Sequence, residues 1–287
     1  MSRIAYVNGR YLPHARASIH IEDRGYQFAD GVYEVVLIHR GRLVDEDGHL
    51  DRLDRSLKEI RIAPPMARGP LRAVMREVIR RNRIRNGIVY MQVTRGAARR
   101  DHPFPKTPIK PALVMTARAI APFDFEAARV GVEAITMPDI RWKRCDIKTV
   151  GLLPNVLGKQ QAREAGAYEA WLVDDAGFVT EGTSSNAWIV TREGELVTRS
   201  LSHAILGGIT RRAIIDLART AGVRFVERSF TVAEAKAARE AFVSSASSLV
   251  KPIIRIDGQS IGNGHVGEVT ERLLSLYAAH MDNAATP

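Results

Sequence analysis

The pair Asn8-Gly9, set between the apolar runs Ala5–Val7 and Tyr11–Leu12, constrains the chain to a tight hairpin, because both residues accept the left-handed backbone that a two-residue turn needs. Arg40-Gly41 repeats the signal between Val32–His39, a β-branched and aromatic run, and Arg42–Val44. Leu50, Leu53, Leu57 and Ile60 then recur at helical spacing, and a second helix follows over Arg68–Arg80. Two further strands, Ile88–Thr94 and Ala112–Thr116, complete an α+β unit. Between them, Arg99-Arg100-Asp101-His102-Pro103-Phe104-Pro105 reads as a loop, since its prolines exclude regular structure, and charged loops often carry function.

Ala121-Pro122-Phe123-Asp124 reads as a linker, so the expected domains are residues 1–120 and 121–287. In the second, strands are expected at Val130–Met137, Glu169–Val173, Asn186–Val190, Val223–Val226 and Ala241–Val243. Helices are expected at Asn155–Ala165, Ile209–Ala221 and Val266–Ala278, and Thr231 with Glu234 fits a capping box. With 287 residues, 45 % of them apolar, each domain has enough material for a core of its own.

The net charge of +10 raises the question of nucleic acid. Its densest basic run argues against that reading. Arg68, Arg72, Arg76 and Arg80 recur every fourth residue opposite Leu71, Val74, Met75, Val78 and Ile79, the pattern of a solvated helix face, and no aromatic-rich strand accompanies it to stack bases. No window is apolar enough for a membrane span and the first residues, MSRIAYVNGR, lack a secretory core, so the expectation is a cytoplasmic protein with no membrane and no nucleic-acid partner. One cysteine, Cys145, excludes an intrachain disulfide and makes a metal site unexpected.

Lys148 is flanked by Ile147, Val150, Leu152 and Leu153, an apolar setting that favours a neutral, nucleophilic amine, although a lysine on its own reads more simply as a snorkelling surface residue. Thr180-Glu181-Gly182-Thr183-Ser184-Ser185-Asn186 places a carboxylate among small hydroxyls just before a strand; such a glutamate could keep a ring nitrogen protonated, or the stretch is a turn whose polar groups serve the backbone. Gly207-Gly208-Ile209-Thr210 precedes a helix and would point N–H groups at an anion, a weak signal alone, and Ser244–Ser248 adds more small donors.

Taken in order, the runs Glu22–Phe28, Asp30–Val35, Asp139–Trp142 with Cys145–Lys148, Thr180–Asn186 and Gly208–Arg211 resemble the branched-chain and D-amino acid aminotransferase family, of pyridoxal-phosphate fold type IV, across about residues 3 to 275. The resemblance implies an α+β, two-domain architecture with pyridoxal 5'-phosphate in the cleft between domains. It makes Lys148 the coenzyme-bonding lysine and Glu181 the partner of the pyridine nitrogen. Arg52 matches the phosphate-binding arginine, Ile209, Thr210, Ser184, Ser245 and Ala246 line the coenzyme's surroundings, and Leu206 packs on its ring. Ala246 departs from the pattern, standing where a threonine hydroxyl is expected beside the phosphate.

Within that family the Arg-x-His loop, here Arg100 and His102, joins the tyrosine of the DGVYEV run, Tyr33, to receive the substrate carboxylate in D-amino acid aminotransferases. The implied activity moves the amino group of a D-amino acid such as D-alanine to a 2-oxo acid such as 2-oxoglutarate, giving pyruvate and D-glutamate, in a homodimer whose loop reaches the neighbouring subunit's site. A branched-chain L-amino acid or amine transaminase is the second reading, and an aminodeoxychorismate-type lyase a lesser one.

Overall fold

The computed structural model describes residues 3–284. It divides into two compact units: one runs to Pro122 and takes in Ile147–Gly151, the other comprises Phe123–Asp146 and Leu152–Asn283. The segment holding Lys148 therefore belongs by its contacts to the first unit, not to the second as the linear boundary had it. The reason is the backbone pairing of that segment with residues 31–33.

The first unit contains, in order, strand β1 (Ile4–Val7), β2 (Arg10–Pro13), a 3-10 turn at His14–Arg16, helix α1 (Arg24–Phe28), β3 (Gly31–His39), β4 (Arg42–Leu43), α2 (Glu46–Glu59), α3 (Arg68–Asn82), β5 (Gly87–Thr94) and β6 (Ala112–Ala119). The strands form one antiparallel sheet in the order β2-β1-β6-β5-β3-β4. Both expected hairpins are present: Asn8 and Gly9 turn at φ 47° and 95°, Arg40 and Gly41 at 50° and 87°. Leu50, Leu53, Leu57, Leu71, Met75 and Val78 meet Val36, Ile38, Val89, Met91 and Met115 in the core. The opposite face of α3 is the solvated one: Arg68 pairs with Asp51 and Asp54, Arg72 with Asp47, Arg76 with Glu46, and Arg80 with Glu77.

The second unit runs α4 (Phe125–Arg129), β7 (Val132–Pro138), α5 (Leu153–Glu164), β8 (Glu169–Val173), β9 (Val179–Gly182), β10 (Asn186–Val190), β11 (Leu196–Thr198), α6 (Ile209–Thr220), β12 (Phe225–Glu227), α7 (Val232–Ala237), β13 (Glu240–Ser245), β14 (Leu249–Ile256), β15 (Gln259–Ser260) and α8 (Glu268–Ala284). Its mixed sheet is ordered β12-β11-β10-β13-β14-β7-β8-β9, with β15 on the edge of β14. Three pairs, β11·β12, β14·β7 and β7·β8, are parallel. Thr231 caps α7 by accepting from the Glu234 amide at 3.1 Å.

Several elements differ from the sequence expectation or lie outside it, among them the start of β7 and strands β9 and β14. Val130 ends α4 and the strand starts only at Val132, because Gly131 turns the chain at φ 72°. Thr180–Gly182 lies on strand β9 rather than in a turn, and Leu249–Ile256 is a strand although Pro252 sits inside it. Among the described residues no helix is long and apolar enough to cross a membrane.

Candidate active site

In the first unit, residues 147–150 lie against the head of β3 and bond to it through the backbone. The Tyr33 amide donates to the Lys148 carbonyl at 3.0 Å and the Val150 amide to the Gly31 carbonyl at 3.1 Å, while Thr149 bridges Val32. Gly31 has to be glycine for this sheet geometry, since a Cβ there would lie 2.8 Å from the Val93 carbonyl. This pairing aims Lys148 at the next side chain on the strand: its Nζ stands 3.2 Å from the Tyr33 hydroxyl and 4.3 Å from the centre of that ring. Behind Tyr33 lies Tyr90, ring to ring at 5.7 Å; burial, then the neighbouring Tyr33, push its hydroxyl up to about 12.

One residue along β3 and on its opposite face, Glu34 is fully buried. It accepts Arg52 Nε at 2.8 Å and Nη2 at 2.7 Å, a bidentate fork, and its Oε2 lies 2.7 Å from His49 Nδ1. Burial works to raise the Glu34 carboxyl, but the Arg52 charge and the bonds from Arg52 and His49 outweigh it and hold the group at about 2. His49 is held below its ordinary value, burial outweighing the pull of Glu34. A neutral His49 facing a carboxylate carries its proton on Nδ1. Arg52 is thus a guanidinium locked by a buried anion behind it.

Arg100 and His102 are exposed on the loop, and both stack toward Phe28: the Arg100 guanidinium carbon is 5.0 Å from that ring's centre and the His102 ring 5.5 Å from it. Tyr33, Arg52, Arg100, His102 and Lys148 accordingly all belong to the first unit.

In the second unit, Glu181 is buried on β9 and gathers donors. Arg141 Nη1 lies 2.5 Å from its Oε1, Asn186 Nδ2 lies 3.0 Å from its Oε2, and the Leu206 amide reaches both oxygens at 3.2 and 3.1 Å. Arg141 also forks onto Asp139 at 2.9 and 2.7 Å. Burial alone would lower Arg141; its bonds to Asp139 and the charges of Glu181 and Asp139 hold it above its ordinary value instead. The result is a carboxylate fixed in place by a cation and two amide donors.

Asn186 ties this carboxylate to a helix end. Its Nδ2 also donates to the Leu206 carbonyl at 2.9 Å, and Gly208, the N-cap of α6, packs so closely that a Cβ would lie 2.1 Å from Asn186 Oδ1. Ile209 and Thr210 open that helix, whose first-turn N–H groups have no partner within the helix itself. The expected residues Glu181, Leu206, Ile209 and Thr210 are therefore brought together around Asn186. Ser184 is tied elsewhere: its hydroxyl faces Glu169 at 3.3 Å, alongside those of Thr183 and Ser185. Ser245 ends β13 and its Oγ accepts from the Ser248 amide at 3.1 Å across a turn that contains Ala246.

The sequence pattern does not show that Arg141 and Asn186 are partners of Glu181, that Asp139 is the partner of Arg141, or that Glu34 holds both Arg52 and His49. Only the clustering of charge in Asp139-Ile140-Arg141 could have pointed to the first set, and nothing in it says that the arginine turns inward. Cys145, half-buried beside Arg141, is a thiol pushed up to about 11 chiefly by burial, which makes it a poor nucleophile.

Residues 31–256 match the family model described as amino-transferase class IV. The chain is 38 % identical over 282 residues to a D-alanine aminotransferase of Staphylococcus haemolyticus, covering 98 % of this chain and 99 % of that one. It is 41 % identical over 266 residues to one of Bacillus licheniformis, covering 93 % of each. Among solved structures it superposes at a TM-score of 0.88 and 26 % identity on a T.th. branched-chain amino acid aminotransferase complexed with N-(5'-phosphopyridoxyl)-L-glutamate, covering 99 % of this chain and 94 % of that one. It also shares its fold with the branched-chain amino acid aminotransferase of Escherichia coli, at 0.87 and 23 %, over 97 % and 94 % of the two chains. A match that runs from Gly31, where β3 opens beside the Lys148 segment, to the end of β14 takes in both units and both residue clusters, and on it the chain belongs to the class IV aminotransferases.

Proposed function

We propose that this aminotransferase is a pyridoxal 5'-phosphate enzyme that moves the amino group of a D-amino acid, with D-alanine as the type substrate, to 2-oxoglutarate, releasing pyruvate and D-glutamate. The observation that carries the reading is the pairing of Lys148 Nζ with the Tyr33 hydroxyl at 3.2 Å, an amine held against a strand beside a phenol. The donor set in each unit fits the coenzyme. Glu181 is an anion of the kind a protonated pyridine nitrogen needs opposite it, and Arg52 with the N-terminus of α6 offers a guanidinium and helix-start amides of the kind a phosphate takes. Ser184 and Ser245 stand close to those elements in sequence, and Ala246 contributes only backbone.

When bound, pyridoxal 5'-phosphate supplies an aldehyde that takes up the amino group and a protonated ring that absorbs the electron pair left at Cα. Lys148 Nζ removes the Cα proton in one half-reaction and delivers a proton to Cα of the product amino acid in the other. Tyr33 O–H orients that amine, and Arg100 with His102 receives the substrate carboxylate, charge to charge. Leu206 offers an apolar side chain for the ring face. Glu181, held by Arg141, Asn186 and the Leu206 amide, keeps its place while the ring charge changes. We further propose a cytoplasmic homodimer in which each Arg100 loop serves the neighbouring subunit.

The D-alanine aminotransferase names of the sequence relatives favour the D-reading over an L-branched-chain one, which the names of the structural neighbours would suggest at lower identity. The test is to incubate the purified, coenzyme-loaded protein with 2-oxoglutarate and, separately, D-alanine, L-alanine and L-leucine. Pyruvate and D-glutamate should appear in equal amounts from D-alanine. Consumption of L-leucine with D-alanine untouched would overturn the reading, whereas without 2-oxoglutarate pyruvate should stop at one equivalent per coenzyme.

A further inference from the structure

Arg100 and His102 reach into solvent, yet the backbone beneath them is held by a buried charge cluster to which neither side chain belongs. Arg24, the first residue of α1, is 3 % exposed. Its Nε donates to Asp30 Oδ2 at 2.8 Å. The rest of the guanidinium spans three consecutive carbonyls of the loop: Nη1 donates to Asp101 at 2.6 Å and to Pro103 at 3.4 Å, and Nη2 to His102 at 3.2 Å. On the other side of Asp30, Arg95 donates Nε to Oδ2 at 2.7 Å and Nη2 to Oδ1 at 2.9 Å. Arg95 then continues outward. It donates to the carbonyls of Ile60 and Arg61 at 2.7 and 2.9 Å, just past the end of α2, and its guanidinium carbon lies 3.7 Å from the centre of the Phe104 ring.

The neighbouring backbone leaves this arrangement little freedom. The Arg24 amide donates to the Gly96 carbonyl at 2.9 Å, the Ala98 amide to Glu22 at 3.2 Å and the Arg95 amide to Asp30 at 3.1 Å. Asp23 caps α1 and accepts from the buried Thr94 hydroxyl at 2.8 Å. A Cβ on Gly25 would lie 2.2 Å from Thr94 Cγ2, so the start of α1 can sit against β5 only with glycine there.

Two buried guanidiniums on one carboxylate are a poor device for stability, since desolvation absorbs much of what the pairing returns. They are a good device for position. A planar guanidinium has five N–H donors in a fixed fork, so Arg24 can pin three successive carbonyls at once, which an ammonium on a flexible stem cannot do. We propose that Arg24 and Asp30 are positioning residues that set the height and register of the Arg100–His102 backbone, and so the enzyme's affinity for the carboxylate of its substrate. The inference rests on the reading of that loop as the carboxylate receiver.

The experiment compares holoenzyme carrying Arg24→Lys, which keeps the charge and loses the fork, with Arg100→Ala and the unaltered chain. For each, kcat and KM for D-alanine, the Ki of maleate as a dicarboxylate probe, the coenzyme absorption spectrum and hydrogen exchange of the amides at 99–107 are measured. In Arg24→Lys, KM and Ki should rise together by about 10-fold, the equivalent of one charge-assisted hydrogen bond, while kcat stays within about twofold. The loop amides should exchange faster and the spectrum should not change. If Arg100→Ala raises KM and Ki but Arg24→Lys moves neither, the positioning role is overturned and the reading of the loop stands. If Arg100→Ala moves neither, that reading falls and this proposal with it. Should Arg24→Lys fail to fold, Asp30→Asn carries the same expectation: a lowered melting temperature with unchanged KM and Ki would mean that the cluster only stabilises the fold.

Discussion

Lys148 Nζ and the Tyr33 hydroxyl lie 3.2 Å apart because the chain pairs Lys148 with Tyr33 through the backbone first, the Tyr33 amide donating to the Lys148 carbonyl at 3.0 Å. Truncating the lysine leaves that backbone pairing intact, so Lys148→Ala should fold. It should lose the yellow colour of the lysine-bound coenzyme, and turnover should fall by several orders of magnitude, measured as pyruvate release from D-alanine. A variant that turns over near the wild-type rate without an added amine would remove Lys148 from the mechanism.

Glu34 makes the first unit acid-sensitive in a defined direction. Its carboxyl is held at about 2 in the folded chain against about 4.3 when unfolded, so it contributes about 3 kcal/mol that is fully present above pH 4.5 and is lost as pH falls toward 2. His49 acts in the same direction: held below its ordinary value when folded, it takes up a proton first in the unfolded chain as pH falls through about 6.5. Glu34→Gln leaves Arg52 without its buried anion and should cost about 3–5 kcal/mol at pH 7, read as a lowered thermal midpoint. The deficit should shrink at pH 3, where the Glu34 carboxyl of the unfolded chain is already protonated while the folded one stays ionised. An equal deficit at both pH values would mean that charge is not what Glu34 contributes.

The legible part of the molecule was the part governed by local rules. Asn8-Gly9 and Arg40-Gly41 need a positive φ, and the structure turns at both. The four-residue spacing of Arg68 to Arg80 marks a solvated face, and each of those arginines meets an acidic partner there. Strands β9 and β14 were not legible. Thr180-Glu181-Gly182 has the composition of a turn and becomes extended because β8 pairs with it, and Pro252 reads as a strand breaker although β14 has β7 and β13 on its two sides. The partners of the site residues were invisible for the same reason. Glu34 is 18 residues from Arg52, and Arg141 is 40 from Glu181; such pairs are set by the sheet, not by periodicity.

Arg141 gives a second test of buried charge. Arg141→Met removes the cation shared by Asp139 and Glu181 and leaves two carboxylates in a largely buried setting. Both should then take up protons more readily. The expected result is a loss of about 3–5 kcal/mol at pH 7 and, at pH values where the variant stays folded, weaker coenzyme retention on dialysis. Full stability with unchanged retention would show that Asn186 and the Leu206 amide suffice to hold Glu181.

The proposed sharing of the Arg100 loop predicts complementation. Lys148→Ala should be inactive with D-alanine and Arg100→Ala weakened by the roughly 10- to 150-fold loss expected of a missing charge-assisted hydrogen bond, and a mixed dimer contains one site in which both residues are intact. After subunit exchange, shown by differently tagged chains copurifying, activity should recover toward one site in four at equal mixing. Exchange without recovery would confine each loop to its own subunit's site.

Arg100 should set the preference for D-substrates by fixing where the carboxylate sits. Lys148 can serve only one face of the coenzyme, so the Cα–H bond has to point toward that face for transfer. With the carboxylate held by Arg100 and His102, one enantiomer presents its hydrogen there, and the other does so only by exchanging its carboxylate and side-chain positions. A charge-assisted hydrogen bond contributes about 1.5–3 kcal/mol, so Arg100→Ala should lower kcat/KM for D-alanine by roughly 10- to 150-fold. Any residual L-activity should fall less, so the ratio of D- to L-alanine turnover narrows. The Arg100 guanidinium is exposed and its nearest ring is Phe28 at 5.0 Å, so the change should leave the melting temperature within a degree or two and the kinetic loss cannot be put down to unfolding. An Arg100→Ala enzyme with unchanged KM and an unchanged D-to-L ratio would reduce Arg100 to a solvated residue of a proline-rich loop.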